Sequence, residues 1–194
     1  VVFSHPNHEV ALLGSIERLR PDLVFLTDGG GEERVEQTRR GLASYVEPQS
    51  LHFLGHREQA LYNALLDGDA GFYRAIAAEV ATILARLDAQ TVFCDMVEFY
   101  NPVHDMALPV VRAALSGRDV PVWEVPLIWQ RQGAKEAYEM QRAPSSLEPG
   151  CRWVELTDRE AAHKVTTLRN GVYEMLFRQL GGPILGAIPS HASR

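Results

Sequence analysis

The feature that most constrains the fold of this 194-residue chain is a regular alternation of short apolar segments with longer amphipathic ones. The apolar segments are rich in β-branched residues and read as buried strands: VVFS, LVFLTD, LHFLG, TVFCD and VPVWEVPLI. Helical spacing is predicted between them, over Glu9–Leu19, Glu33–Tyr45, Phe72–Leu87 and Met106–Leu115. Strands that alternate with helices of this length form right-handed β-α-β units. The pattern therefore predicts an α/β fold, a single Rossmann-like domain with a mainly parallel sheet flanked by helices.

The whole chain, residues 1–194, is interpreted as one domain because it contains no internal repeat and no interior linker. The pattern changes over residues 128–153, a polar stretch with little helical periodicity that we interpret as a variable region on the substrate side. After it, CRWVEL is predicted to form a further strand, and Thr157 with Glu160 a capping box for a last helix. Residues 181–194 have no periodicity and are expected to form a loosely packed tail.

Charge and composition limit the classes of partner. The net charge of −6 disfavours a general nucleic-acid binder and a protein that docks on anionic lipid. We find no apolar stretch of transmembrane length and no secretory signal pattern. Two cysteines, Cys94 and Cys151, are too few and too distant for a disulfide framework. We therefore expect a cytoplasmic protein that binds a small molecule rather than nucleic acid or membrane, with homo-oligomerisation left open.

Polar side chains are concentrated where the predicted strands end. His5 and His8 follow the first strand, and His104 follows the fourth. The carboxyl ends of parallel strands meet at one edge of a sheet, where ligands bind. Two histidines from one loop and a third from a distant loop, in a carboxylate-rich crevice, predict a metal site with three protein ligands, and a catalytic zinc is held by three such ligands with a fourth position open for water. The other polar residues at strand ends are Asp28, Gly29, Gly30, Gly31, His56, Arg57, Glu58, Asp95, Glu98, Asn101 and Asp105.

Several segments also resemble one family, the LmbE-like (PIG-L) de-N-acetylases, which are zinc hydrolases that cleave N-acyl groups from amino sugars. SHPNHE is similar to the family's His-Pro-Asp-Asp-Glu signature, and YNPVHDMALPVV to the His-Pro-Asp-His segment that supplies the last metal ligand. The family's Gly-rich loop with its helix, its Arg-acid pair and its closing helix are similar to FLTDGGGEERVEQTRRGLA, LHFLGHREQAL and ELTDREAAHKVTTLRNGVYEML. The segments also follow one another in the family's order.

The resemblance implies that His5, His8 and His104 bind zinc, with His8 in place of an aspartate. Asn7 stands where the family has its general base, and a carboxamide cannot accept a proton from water near neutral pH. Asn101 stands where the family has a second catalytic histidine; it can donate a hydrogen bond to an oxyanion but cannot transfer a proton. Either another carboxylate acts as the base, with Glu9, Glu58, Glu98 and Asp105 as the candidates, or the chemistry has changed. We predict Asn7, Asn101, Asp105 and Glu58 as the catalytic residues.

Substrate contacts are predicted for residues of the loops that follow the second and third strands. They are also predicted for the helix that follows the second strand. A solvated helix face explains Arg34 equally well, and a turn residue whose side chain bonds to the backbone explains Asn7 equally well. The predicted substrate-binding residues are Asp28, Gly30, Arg34 and Arg57.

Three functions are compatible with these residues. The first is a zinc-dependent de-N-acetylase or related amide hydrolase, acting on an N-acylated amino sugar or sugar conjugate with an altered general base. The second is a degenerate relative that binds such a ligand without hydrolysing it. The third is a three-histidine site that holds Fe²⁺ or copper and performs non-hydrolytic chemistry, because imidazoles also suit these metals. We favour the first.

Overall fold

The computed structural model describes residues 1–130 and 138–173. Its strands are β1 (Val2–Phe3), β2 (Leu23–Thr27), β3 (Leu51–His56), β4 (Val92–Asp95), β5 (Val122–Val125), β6 (Ile128–Gln130) and β7 (Tyr138–Met140). Its α-helices are α1 (Leu13–Leu19), α2 (Glu32–Leu42), α3 (Glu58–Asp67), α4 (Ala70–Arg86), α5 (Pro102–Asp105), α6 (Ala107–Ala114) and α7 (Asp158–Arg169). Short 3-10 helices cover His8–Leu12, Pro48–Ser50 and Glu148–Gly150. The predicted tail, 181–194, and residues 131–137 of the predicted variable region lie outside the described residues.

Strands β1 to β5 form a parallel sheet in the order β3-β2-β1-β4-β5. The short central strand β1 pairs with β2 through Val2↔Val24 and Phe3↔Phe25, and with β4 through Val2↔Cys94. The chain therefore adds strands on one side of β1 and then crosses to the other side. Such a reversal in an open α/β sheet leaves a crevice at the carboxyl ends of the two strands. The loops that follow β1 and β4 border this crevice.

The alternating direction of side chains along the strands divides the core in two. Val2, Val24 and Leu26 contribute to one cluster, and their neighbours Phe3 and Phe25 contribute to the other. The first cluster includes Leu61 of α3, Ile76 and Val80 of α4, and Val110 and Val111 of α6. The second includes Leu13 and Ile16 of α1, Leu42 of α2 and Leu168 of α7. Both faces of the sheet are covered by helices, which confirms the predicted α/β fold.

Most predicted elements are present, with shifted ends. The helix predicted over Glu9–Leu19 begins as a 3-10 turn and becomes α-helical at Leu13. The predicted strand VPVWEVPLI is divided at Pro126, which has no N–H to continue a ladder, so β5 and β6 are separate strands. β6 pairs with β7 as an antiparallel ribbon. This ribbon lies within residues 128–153, the region interpreted from the sequence as polar with little helical periodicity. Helix α3 was not predicted.

The prediction of a strand over 151–156 is wrong. The sheet ends at β3 and β5, and this segment pairs with neither. It packs against α1 instead: the side chain of Leu156 covers Gly14, where a Cβ would come within 2.4 Å of it. Trp153 and Val154, whose apolar character suggested a strand, are 64% and 57% exposed. The apolar residues of this segment therefore make one contact with a helix or lie on an exposed surface, and they do not pair with a strand of the sheet.

Three smaller features bear on the other predictions. Thr157 and Glu160 form the predicted capping box, with each side chain bonded to the other residue's backbone N–H. Cys94 and Cys151 are both free thiols. Among the described residues, no helix combines the length and apolar character needed to cross a membrane.

Candidate metal centre

The turn after β1 brings its polar residues into the protein interior. Ser4, His5 and Asn7 are at most 4% exposed, and His8 is 9% exposed. Asn7 has a positive φ of 80°, a left-handed conformation that asparagine adopts more readily than most residues. This conformation lets the chain reverse within the turn, so that His8 can open the 3-10 helix while its ring lies beside that of His5.

Three imidazoles from two loops meet in the crevice between β1 and β4. His5, His8 and His104 are all buried, and each offers one ligand atom within 4.8 Å of the others. Their ring centroids are 3.9 Å apart for His5 and His8, 4.3 Å for His8 and His104, and 4.7 Å for His5 and His104. The Nε2 atoms of His5 and His104 are 2.8 Å apart. The topology thus brings together the three histidines that the sequence singles out.

Two of the rings are oriented by hydrogen bonds at their Nδ1 atoms. His8 Nδ1 lies 2.8 Å from Asp95 Oδ2, and His5 Nδ1 lies 2.8 Å from the carbonyl oxygen of Pro6. When Nδ1 carries the proton and donates it in this way, Nε2 keeps its lone pair for a metal. His104 Nδ1 has no partner among the described residues. The donor set therefore consists of imidazoles, two of them fixed in the tautomer that binds metal through Nε2.

The sequence places Asp95 among the polar residues at strand ends but predicts no role for it. It is the last residue of β4 and is fully buried. Besides contacting His8, its Oδ2 accepts hydrogen bonds from the backbone N–H and the hydroxyl of Ser4, both at 2.7 Å. One carboxylate oxygen therefore ties β4 to the turn after β1 and orients a histidine. Its position at a strand end on the crevice was the available signal.

Burial keeps His5 and His104 neutral. Burial, with a smaller contribution from the neighbouring His8, lowers the pKa of His104 to about 2 and the pKa of His5 well below its usual value. The positive charge of Arg34 acts in the same direction on both. Neutral imidazoles are the form that binds a metal ion.

The residues predicted to contact substrate have different positions. Asp28 is used by the backbone: its Oδ1 accepts from the N–H groups of Gly30 and Glu58, both at 3.0 Å, and so joins the glycine loop to the start of α3. Arg34 is partly buried and donates from Nη1 to the carbonyl of Gly29 at 2.8 Å. Its charge acts on the histidines, which places it close to them. Arg57 is exposed at the N-cap of α3. The predicted substrate contacts of these residues stay predictions.

The two predicted catalytic asparagines are both held through Oδ1. Asn101 is the N-cap of α5, and its Oδ1 accepts from the N–H of Val103 and the hydroxyl of Tyr62, both at 2.9 Å. Asn7 donates its backbone N–H to Thr38 Oγ1 at 3.2 Å, and its Oδ1 lies 3.3 Å from the same hydroxyl. The buried Nδ2 of Asn7 has no partner among the described residues. Hydrogen bonds fix the position of each side chain, and the NH₂ group of each makes no hydrogen bond with the described protein.

Four carboxylates were candidates for the base, and three of them accept hydrogen bonds from the protein. Asp105 accepts from the N–H groups of Glu98 and Phe99, at 2.8 and 3.1 Å. Glu98 accepts from the N–H of Leu127. The fully buried Glu9 accepts from Thr38 at 2.6 Å and from Tyr173 at 3.1 Å.

The fourth candidate, Glu58, is different. Within the described residues its carboxylate accepts no hydrogen bond, and the side chain is only partly buried. Burial raises its pKa, while the positive charge of Arg34 opposes this shift. A carboxylate of this kind can still exchange a proton with a bound molecule.

Comparison with known proteins supports the fold. No protein-family model and no curated protein sequence matches the chain. Among solved structures, it is similar to a conserved protein from Thermus thermophilus, with 19% identity, a TM-score of 0.59, and 96% of this chain and 82% of that chain covered. A deacetylase of the teicoplanin biosynthesis pathway matches at 14% identity and a TM-score of 0.62, covering 96% and 88%. The N,N'-diacetylchitobiose deacetylase from Pyrococcus horikoshii matches at 13% and 0.58, covering 96% and 74%.

These identities are low, so the similarity establishes the architecture. The chain has the fold of the LmbE-like (PIG-L) deacetylases, which confirms at the level of fold the resemblance seen in the sequence.

Proposed function

We propose that this protein is a zinc-dependent de-N-acetylase, or a related amide hydrolase, that acts on an N-acylated amino sugar or sugar conjugate. The observation that carries the proposal is the group of three buried imidazoles, His5, His8 and His104, at the β1–β4 crevice of this fold. Solved deacetylases with the same architecture support the reaction class. The free thiols of Cys94 and Cys151 are consistent with the cytoplasmic location predicted from the sequence.

The residues present fit a zinc ion. Neutral imidazoles with an anchored Nδ1 are ordinary zinc ligands, and the carboxylate of Asp95 behind His8 is a usual partner of a zinc-binding histidine. We propose that His5, His8 and His104 hold the ion, with Fe²⁺ as the alternative occupant. Zinc in such a site supplies a Lewis acid that polarises an amide carbonyl and acidifies water.

Glu58 is our candidate for the general base that Asn7 cannot be. Two observations support it: its carboxylate has no hydrogen-bond partner in the described protein, and its pKa is raised by burial. A base must remove a proton from water and return it to the leaving amine, and a carboxylate can do both. The backbone of Glu58 is held by Asp28, so the side chain starts from a fixed point.

The carboxamides of Asn7 and Asn101 are proposed to donate hydrogen bonds to the bound acyl group. Donors aimed at the oxygen that gains charge stabilise the transition state more than the substrate. Arg34, Asp28, Gly30 and Arg57 border the same edge of the sheet and are proposed to contact the sugar. The proposal thus gives proton transfer to Glu58 and charge stabilisation to the asparagines.

The test combines elemental analysis of the purified protein with a deacylation assay on N-acetylglucosamine and N,N'-diacetylchitobiose. We expect bound zinc, acetate release, and a loss of about 10²–10⁴-fold in Glu58→Gln. Glu36→Gln, an exposed glutamate on α2, is the matched control and should keep full activity. Activity of Glu58→Gln within tenfold of wild type would remove Glu58 from the role of base.

A second function is favoured by one specific observation. Neither Asn7 nor Asn101 can carry a proton, so the site lacks the acid–base groups that the family resemblance assigns to these positions. A protein that binds an N-acylated sugar without cleaving it would have this composition. Saturable binding of N,N'-diacetylchitobiose by the zinc-loaded protein, with no acetate released, would favour this function over hydrolysis.

A further inference from the structure

Within residues 1–130 and 138–173, the hydroxyl of Tyr62 has one partner, the Oδ1 of Asn101, at 2.9 Å. The same oxygen accepts the N–H of Val103 at 2.9 Å, as the N-cap of α5. A backbone N–H can only donate, so the atom that faces it must be the carboxamide oxygen rather than the nitrogen. Both interactions therefore require the same orientation of the Asn101 side chain.

The NH₂ group of Asn101 is consequently directed away from both partners. No hydrogen bond joins it to the described part of the protein, and the side chain is partly exposed. Asn101 lies three residues before His104, on the loop that borders the histidine site. The group is therefore accessible to a molecule bound there.

Helix α3 explains how Tyr62 reaches this position. Glu58 and Tyr62 are four residues apart on α3, so both side chains lie on the same face of the helix. The carboxylate of Glu58 acts on Tyr62, whose hydroxyl bonds to Asn101 on the loop before His104. Burial raises the pKa of Tyr62, so its hydroxyl remains a donor across the physiological range.

We propose that Tyr62 is a positioning residue that fixes the carboxamide of Asn101, so that its NH₂ group donates to the acyl oxygen of the bound substrate. This inference rests on the proposed amide hydrolysis. Without the Tyr62 hydroxyl, the N-cap bond alone holds Asn101, and the donor loses part of its alignment. Preorganised donors contribute to the rate because they do not have to reorient during the reaction.

The test is Tyr62→Phe, with Tyr73→Phe as the matched control. Tyr73 is also partly buried and also donates one hydrogen bond, to the carbonyl of Leu61 at 2.7 Å on the neighbouring helix. On N,N'-diacetylchitobiose we expect Tyr62→Phe to lower kcat about tenfold with KM changed less than twofold, and Tyr73→Phe to leave both unchanged. Asn101→Ala should lower kcat about 10²-fold, and adding Tyr62→Phe to it should have no further effect, because Tyr62 acts through Asn101.

An equal loss from Tyr62→Phe in the wild-type and Asn101→Ala backgrounds would overturn the inference, because the tyrosine would then act independently. Wild-type protein that releases no acetate would contradict the proposed function, and a second readout then tests the inference. The side-chain ¹⁵N–¹H signals of Asn101, identified by their absence in Asn101→Ala, should report a rigid amide in wild type and Tyr73→Phe and a mobile one in Tyr62→Phe. Equal rigidity in all three proteins would refute the positioning role.

Discussion

Asp95→Asn tests whether a carboxylate behind His8 strengthens metal binding. The substitution keeps the shape of the side chain and removes its charge. Oδ2 of Asp95 accepts from Ser4 N, Ser4 Oγ and His8 Nδ1, whereas Oδ1 has no partner among the described residues. A carboxamide can therefore place its oxygen at the position of Oδ2 and its NH₂ at the position of Oδ1 without opposing two donors.

The magnitude follows from the lost charge. Hydrogen bonds to a charged group contribute roughly 1.5–3 kcal/mol, against roughly 0.5–1.5 kcal/mol for neutral pairs. Loss of about 1–1.5 kcal/mol at the bond to His8 corresponds to about tenfold weaker zinc binding, since 1.36 kcal/mol is a factor of ten. Removing the carboxylate partner of a metal-bound histidine typically costs 10–100-fold in affinity, so the two estimates agree. The buried NH₂ should also destabilise the apoprotein by about 1–3 kcal/mol.

Zinc affinity is measured by competition with a chromogenic chelator, and apoprotein stability by urea unfolding. Ser4→Ala is the control: it removes the hydroxyl that bonds to Asp95 and lies 3.3 Å from His8 Nδ1, but it leaves the carboxylate charge in place, and we expect its zinc affinity within about threefold of wild type. Zinc bound by folded Asp95→Asn as tightly as by wild type would show that His8 does not depend on Asp95 for binding. It would also question His8 as a ligand.

Three further predictions address the ligands, the base and the capping box. His8→Ala should lose the metal, as measured by elemental analysis. It should keep the wild-type circular dichroism spectrum, because the two apolar clusters rather than the ion stabilise the sheet. Full metal occupancy would exclude His8 as a ligand. If Glu58 is the base, Asn7→Asp alone should change the rate of acetate release by less than about threefold. In the Glu58→Gln background it should restore activity, and Asn101→His should add to the gain. No gain in any background would argue against deacylation at this site. Thr157→Ala should lower the free energy of unfolding by about 1 kcal/mol, whereas Thr166→Ala, which loses a hydrogen bond within α7, should have a smaller effect in the same urea titration.

The sequence predicts those features that depend on local pattern. Buried parallel strands read as continuous apolar runs, so β1 to β4 were recognisable, and the capping box of α7 needs only Thr157 and Glu160. The strand predicted over 151–156 fails because apolar composition does not reveal whether a sheet edge is available. Helix α3 was not predicted because Arg57 and Glu58, just after β3, were interpreted as polar residues of a loop. In the structure, Arg57 is the N-cap of α3 and Glu58 is its first residue.

Site residues were predictable only where their position at the end of a strand determined where they lie in the fold. Parallel strands bring their carboxyl ends to one edge, so the sequence was sufficient to propose that His5, His8 and His104 meet. It could not distinguish the candidate carboxylates, since Asp105, Glu98 and Glu9 are engaged by backbone and side-chain donors that become neighbours only in the folded chain. Asp95 ends a strand like the others, and only its contact with His8 reveals its role.

The position of α3 explains how a hydrolase of this fold could work without a base in the first turn. Asn7 and Glu58 lie on different loops, yet both loops end at the same edge of the sheet, one after β1 and the other after β3. Asp28, after the intervening β2, bonds to the backbone N–H of Glu58 and so fixes the start of α3 relative to that edge. Glu58, at the first position of α3, therefore lies at the same edge of the sheet as the turn that carries Asn7. If Glu58 is the base, as proposed above, the proton-transfer group stands after β3 instead of in the turn after β1, and the histidines keep their places because the sheet holds both segments at one edge.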